Sequence, residues 1–181
     1  DRIQHMFWRF GEESHPARGS DVARIEANRH VIRDMYARMD KLVGKTLASI
    51  DERTALVVMS DHGFKPFRRG VDLNAWLRDH GYLKLKDNRA TSARSYLAEV
   101  DWSQTRAYAV GLAGIYLNQR GRESQGIVAP GPEAQQLARE LCDALSGLSD
   151  SSDGNSAVAI HEAVPRERVY HGPYVDAAPD V

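Results

Sequence analysis

The run Ala55-Leu56-Val57-Val58-Met59 constrains this chain more than any other stretch, because it is unbroken in apolar character and ends abruptly in Ser60-Asp61-His62-Gly63. A continuous β-branched run reads as a strand covered on both faces, as in a parallel sheet. Before it, Val22, Ile25, Ile32, Met35, Tyr36, Met39, Leu42, Val43, Leu47 and Ile50 recur at spacings of three, four and seven. That spacing predicts one long amphipathic helix from Asp21, capped by Ser20 or Asp21, with Gly44 as a soft spot. Helix, tight turn, buried strand and polar loop is the rhythm of a doubly wound α/β domain. The expected fold class is therefore α/β on a mostly parallel sheet, with Ala55–Met59 as an interior strand.

Further along, Leu73 to Asp79 predicts a short helix closed by Gly81, and Tyr82-Leu83-Lys84-Leu85 alternates like a strand. Residues 86–95 are polar and read as loop. Arg106–Val110 and Gly114–Leu117 are strand candidates split by Gly111 and Gly114. Glu133–Leu148 carries a helical stripe of Leu137, Leu141, Ala144, Leu145 and Leu148. A solvated loop over 149–156 and a last strand over Ala157–Val164 complete the reading.

Composition excludes several classes. The 181 residues hold 24 Lys plus Arg against 25 Asp plus Glu, so no basic surface for nucleic acid is evident. A single cysteine, Cys142, excludes an internal disulfide and a thiolate-rich metal site. It tilts the compartment toward the cytoplasm while remaining compatible with a periplasm. No apolar run approaches the roughly 20 residues of a membrane span. The opening DRIQHMFWRF does not begin with methionine and shows no signal-peptide pattern, and it reads as the middle of a longer protein.

Two clusters carry candidate chemistry. Asp61 and His62 follow the apolar run, and ligand sites in open α/β sheets gather at the carboxyl ends of strands. A carboxylate beside an imidazole suits zinc or manganese, and Gly63 permits a sharp turn there. The same three residues also read as an ordinary polar turn. Asp1 and His5 have the spacing D-x-x-x-H, which on a helix puts both on one face, placed to reach one metal. By themselves they read first as two exposed polar residues near a terminus. Ser60 is expected to orient its turn rather than act as a nucleophile. His15 is expected in solvent, His30 within the long helix, and His80 at a helix end. His161 and His171 lack a recognisable ligand context. Arg120-Gly121-Arg122-Glu123 reads as a solvated loop, with phosphate contact as the alternative. Cys142 reads as a small core residue.

Taken together and in this order, DRIQHMFWRF, VVMSDHGF, VDLNAWLRDHGYLKLK and GIYLNQRGRESQGIV resemble the type I phosphodiesterase/nucleotide pyrophosphatase group of the alkaline phosphatase superfamily. The resemblance implies an alkaline-phosphatase-like αβα sandwich and a site for two divalent metals, zinc or manganese. Asp1 and His5 would serve one metal, and Asp61 and His62 the other. Two metals roughly 3.5–4 Å apart polarise a phosphoryl oxygen and stabilise the leaving oxygen. The implied substrates are phosphodiesters or pyrophosphates, nucleotides among them. In this family another metal-binding Asp and a Ser or Thr nucleophile precede D-x-x-x-H, and a further His follows a segment like GPYVDAAPD. Residues 1–181 are accordingly expected to be a partial domain of such an enzyme. Alone, the chain is expected to hold metal at low occupancy, to hydrolyse little, and to pair with a second copy through an exposed sheet edge.

Two other readings stand beside this one. A phosphomutase or sulfatase of the same superfamily would share the S-D-H-G turn. A metal-free interaction module would give Asp61 and His62 ordinary polar roles and take up no metal.

Overall fold

Ile3, Phe7 and Phe10 recur at helical spacing and form the apolar stripe of α1, Arg2–Gly11. Phe10 is buried, with the guanidinium carbons of Arg9 and Arg24 at 4.9 and 5.6 Å from its ring centre. The structure is a computed structural model and describes residues 2–87, 97–150 and 157–181. It divides into two compact units, Asp1–Gly70 and Val71–Val181.

In the first unit the single long helix expected from Asp21 is two helices, α2 over Val22–Asn28 and α3 over Val31–Leu47. Asp21 caps α2 by accepting from the Arg24 amide at 3.1 Å. The chain turns at Arg29-His30, and α1 packs on both α2 and α3. A straight helix of the full length would have met α1 over only part of its apolar face. Gln4 reaches across to the Tyr36 hydroxyl at 2.7 Å and fixes α1 against α3.

The interior strand expected at Ala55–Met59 is absent. These residues form no helix or strand, and Val57, Val58 and Met59 are 75%, 71% and 85% exposed. An apolar run becomes a strand only when neighbours accept its backbone hydrogen bonds and cover its side chains. No described strand lies beside it. Composition and local pattern marked the run as strand material, but pairing is a long-range property.

The second unit is built on one hairpin. β1, Ala107–Val110, pairs antiparallel with β2, Gly114–Leu117, in the register Ala107↔Leu117 and Ala109↔Ile115. These four side chains are buried on one face, small residues on β1 opposite large ones on β2. The other face carries Tyr108 and Tyr116, cross-strand partners whose rings stack at 5.8 Å. α5, Pro132–Leu145, adds Ala134, Leu137, Ala138, Leu141 and Leu145 to the same core. Cys142 is buried on this helix, as expected.

α4, Leu73–Asp79, forms where expected, and Asp72 caps it by accepting from the Ala75 amide at 2.9 Å. Asn74 extends the hairpin's pairing. Its Nδ2 donates to the Ala109 carbonyl at 2.9 Å and its Oδ1 accepts from the Ala109 amide at 2.8 Å, as a neighbouring strand would. Tyr82–Leu85 does not form a strand, and only Leu85 makes a bridge, to Val100. The last predicted strand shrinks to β4, Ala157–Val158, paired antiparallel with β3, Ser149–Asp150. Residues 88–95 of the predicted loop and 151–156 lie outside the described residues.

Helices and sheets are thus both present, as in an α/β chain. The mostly parallel sheet is a different matter, since the described sheets are two small antiparallel pairs. Among the described residues no helix is long and apolar enough to cross a membrane.

Gly126 sits where the backbone of Gln119 passes closest. A Cβ there would fall 2.0 Å from the Gln119 carbonyl oxygen, and backbone cannot step aside. Gly126→Ala should therefore destabilise the second unit by about 1–3 kcal/mol, in the range of other overpacking substitutions. Urea unfolding of the variant checks this.

Candidate functional site

The first unit brings two of the sequence-selected motifs to one aromatic ring. His5 lies on α1, and Phe64 directly follows the Asp61-His62-Gly63 turn. The Phe64 ring meets the His5 imidazole edge-on at 4.8 Å and stacks on Trp8 at 5.3 Å. The His62 ring lies 6.2 Å away on the same phenyl ring. His5 and Trp8 are three apart on α1 and so share a face.

Around the turn, His62 Nε2 lies 3.6 Å from Asp61 Oδ2, and His62 Nδ1 lies 2.9 Å from the Gly63 carbonyl. Ser60 donates to the His62 carbonyl at 2.6 Å. The serine thus orients its turn, as read from the sequence. The turn is exposed and does not face a pocket at a strand end, because the strand itself is not formed. A second tie comes from Arg68, which pairs with Glu12 and donates to the Ser14 hydroxyl at 2.7 Å. It fastens the segment after the turn to the loop that follows α1.

Asp1, the fourth sequence-selected ligand, lies outside the described residues. Among the described residues no three His, Cys, Asp or Glu side chains converge on one point. The donor chemistry nonetheless fits a zinc-type ion: a carboxylate and an imidazole side by side, with a second imidazole across one ring.

The remaining histidines separate clearly. His15 is buried rather than solvated, and its Nδ1 accepts from the Ala17 amide at 3.1 Å. His30 sits at the break before α3, not within a continuous helix. His80 Nδ1 lies 2.8 Å from the Trp76 carbonyl, with the two rings stacked at 4.0 Å. His161 and His171 are exposed.

In the second unit the arginine-rich run is neither solvated as a whole nor free for phosphate. Arg122 Nη2 donates to Asp180 Oδ2 at 2.6 Å and to the Leu117 carbonyl at 2.7 Å. Its Nε donates to Glu123 at 2.8 Å. Arg166 Nη1 lies 3.2 Å from the other Asp180 oxygen, and the Leu117 amide donates to Asp180 Oδ2 at 2.8 Å. Asp180 is 5% exposed, so four donors satisfy a carboxylate taken out of water. Burial pulls the Arg122 guanidinium down, but the bonds to Asp180 and Glu123 outweigh it and hold it above its ordinary range. Burial and the nearby Glu123 push Tyr108 up to about 12. Beside this network lies a cleft of about 880 Å³, walled by Tyr108, Tyr116 and the start of α5. Sequence reasoning missed Asp180, Arg166 and Asn74, since their partners lie tens of residues away. It passed over Phe64 because an apolar residue beside ligands carries no chemical signal of its own.

The model of the type I phosphodiesterase / nucleotide pyrophosphatase family matches residues 1–181. The chain belongs to that family. Type I phosphodiesterases are phosphoester hydrolases, and an enzyme is the class indicated. No curated protein and no solved structure matches it.

Two measurements check the second-unit network. Asp180→Ala leaves Arg122 and Arg166 without their shared carboxylate, and should cost about 3–5 kcal/mol in urea unfolding, as for other broken buried pairs. Tyr108 has a folded pKa above the unfolded value of about 10, so its stabilising effect is complete below pH 10 and is lost as pH rises toward 12. Tyr108→Phe should flatten the fall in urea midpoint across that window, and an unchanged slope would show that Tyr108 is not its source.

Proposed function

We propose that this chain supplies metal ligands to the two-metal centre of a phosphoester hydrolase acting on phosphodiesters or pyrophosphates, nucleotides among them. The observation that carries the reading is the meeting of His5 and His62 at one ring, with Asp61 3.6 Å from His62. It brings together the two motifs that this reading takes as metal-binding. His5, with Asp1, would hold one ion. Asp61 and His62 would hold the other. The family implies an alkaline-phosphatase-like sandwich around such a centre.

When bound, the metals would polarise a phosphoryl oxygen and stabilise the leaving oxygen. The chain's own residues have simpler tasks. His5 and His62 would offer imidazole nitrogens and Asp61 a carboxylate oxygen, and the Gly63 carbonyl, 2.9 Å from His62 Nδ1, would orient that ring. Ser60 and Gly63 hold the turn that carries both ligands. Sites with fewer than three or four protein ligands bind zinc weakly. Low occupancy and slow hydrolysis by the 181-residue chain follow from that. Pairing of two copies through an exposed sheet edge is part of the same reading, since an unpaired edge is a template for another chain.

The test is metal uptake by the 181-residue chain. Calorimetric titration with zinc should give weak binding, and Asp61→Asn and His62→Ala should each lower the affinity by about tenfold or more. Hydrolysis of bis(p-nitrophenyl) phosphate should stay near background. Unaltered zinc binding in both variants would refute the ligand assignment, and rapid turnover would refute the expected weakness of the site.

A further inference from the structure

The stretch from Asp51 to Gly70 is exposed along its whole length except at one residue, Phe64. A segment without ladder hydrogen bonds takes its position from whatever contacts it makes with ordered elements. Two such contacts reach α1 and the loop after it. One is the Phe64 ring, set between His5 at 4.8 Å, Trp8 at 5.3 Å and His62 at 6.2 Å. The other is Arg68, bound to Glu12 and Ser14.

The two contacts differ in what they fix. Arg68 ties the segment to the loop after α1 through a long, partly exposed side chain, and such a tie tolerates displacement. Phe64 is short and planar, and its ring fits edge-on to one imidazole and face-on to an indole. Aromatic pairs have preferred offsets and tilts, so the ring selects both separation and orientation. It is also two residues from His62, and His5 and Trp8 lie on one face of α1. Moving Phe64 therefore moves His62 relative to His5.

We propose that Phe64 is a positioning residue: stacked on Trp8, it sets the placement of the Asp61-His62 turn relative to His5. This rests on the metal-centre reading for its consequence, but not for its geometry. Ligand sets need their supporting residues locked to perform, and a ring that touches both histidines is such a support.

The experiment has one readout without metal and one with it. In the metal-free 181-residue chain, Phe64→Ala should shift the imidazole proton resonances of both His5 and His62 by more than it shifts those of His30, His161 and His171. Phe64→Tyr, which keeps the ring, should leave them near their original positions. With cobalt(II) as the probe, Phe64→Ala should weaken binding by about tenfold and alter the visible spectrum of the bound ion, while Phe64→Tyr restores both. Arg68→Ala should have the smaller effect on the histidine resonances. The helices should persist in far-ultraviolet circular dichroism of each variant, so that lost fold is not mistaken for lost register. Unmoved His5 and His62 resonances in Phe64→Ala overturn the positioning role whatever cobalt does. Unchanged cobalt affinity in that variant overturns its role toward the metal. If the resonances move but the unmodified chain binds no cobalt, the metal-centre reading falls while the aromatic register stands.

Discussion

The second unit depends on one buried carboxylate. Asp180 accepts from the Leu117 amide, from Arg122 and, at 3.2 Å, meets Arg166. Its backbone continues the same association, with the Asp180 amide donating to the Ile115 carbonyl at 2.8 Å and the Ile115 amide donating to the Val181 carbonyl at 2.8 Å. Strand β2, the 120s loop and the C-terminal segment are thereby fastened at one point. Leaving a carboxylate this deeply buried without partners would cost several kcal/mol, so the arrangement admits few alternatives. Its main effect is on register: β2 has the tail on one side and β1 on the other, and a shift of one residue would turn Ile115 and Leu117 out of the core.

The first unit is organised by a weaker kind of constraint. The Phe64 ring and Arg68 tie the segment that carries the Asp61-His62 turn to α1 and the loop after it. His5, Asp61 and His62 are exposed, and Asp61 has 87% of its side chain in solvent. A carboxylate in that state retains its hydration and has little reason to adopt one orientation.

The two units also differ in how they treat apolar surface. In the second, α5 and the hairpin bury their stripes in one cluster. In the first, Tyr36, Met39, Leu42 and Leu47 on α3 remain exposed, as do Leu56 through Met59. Helix α3 is amphipathic, yet none of its residues is buried. Local pattern gives a helix its apolar face but does not provide the surface that covers it.

Local signals were legible in the sequence where short-range physics decides. Asp21 and Asp72 cap helices because a carboxylate three residues ahead of a free amide can reach it. Gly111 and Gly114 mark the hairpin, Pro132 opens α5, and Cys142 falls on a buried stripe. The spacing and chemistry of His5, Asp61 and His62 singled them out in the sequence, and His5 and His62 meet at the Phe64 ring. Pairing and burial were not legible in the same way. The run Ala55–Met59 has a strand's composition and no partner, and the helix pattern from Asp21 to Ile50 breaks at Arg29-His30 where α1 must be met twice. Asn74 mimics a strand, and Asp180 finds Arg122 and the Leu117 amide across 58 and 63 residues. Residue chemistry and short spacings are written in the sequence because they act within a few residues. Which strand is paired, which carboxylate is buried and which ring stands between two histidines are set by contacts between distant segments, and only the tertiary structure decides them.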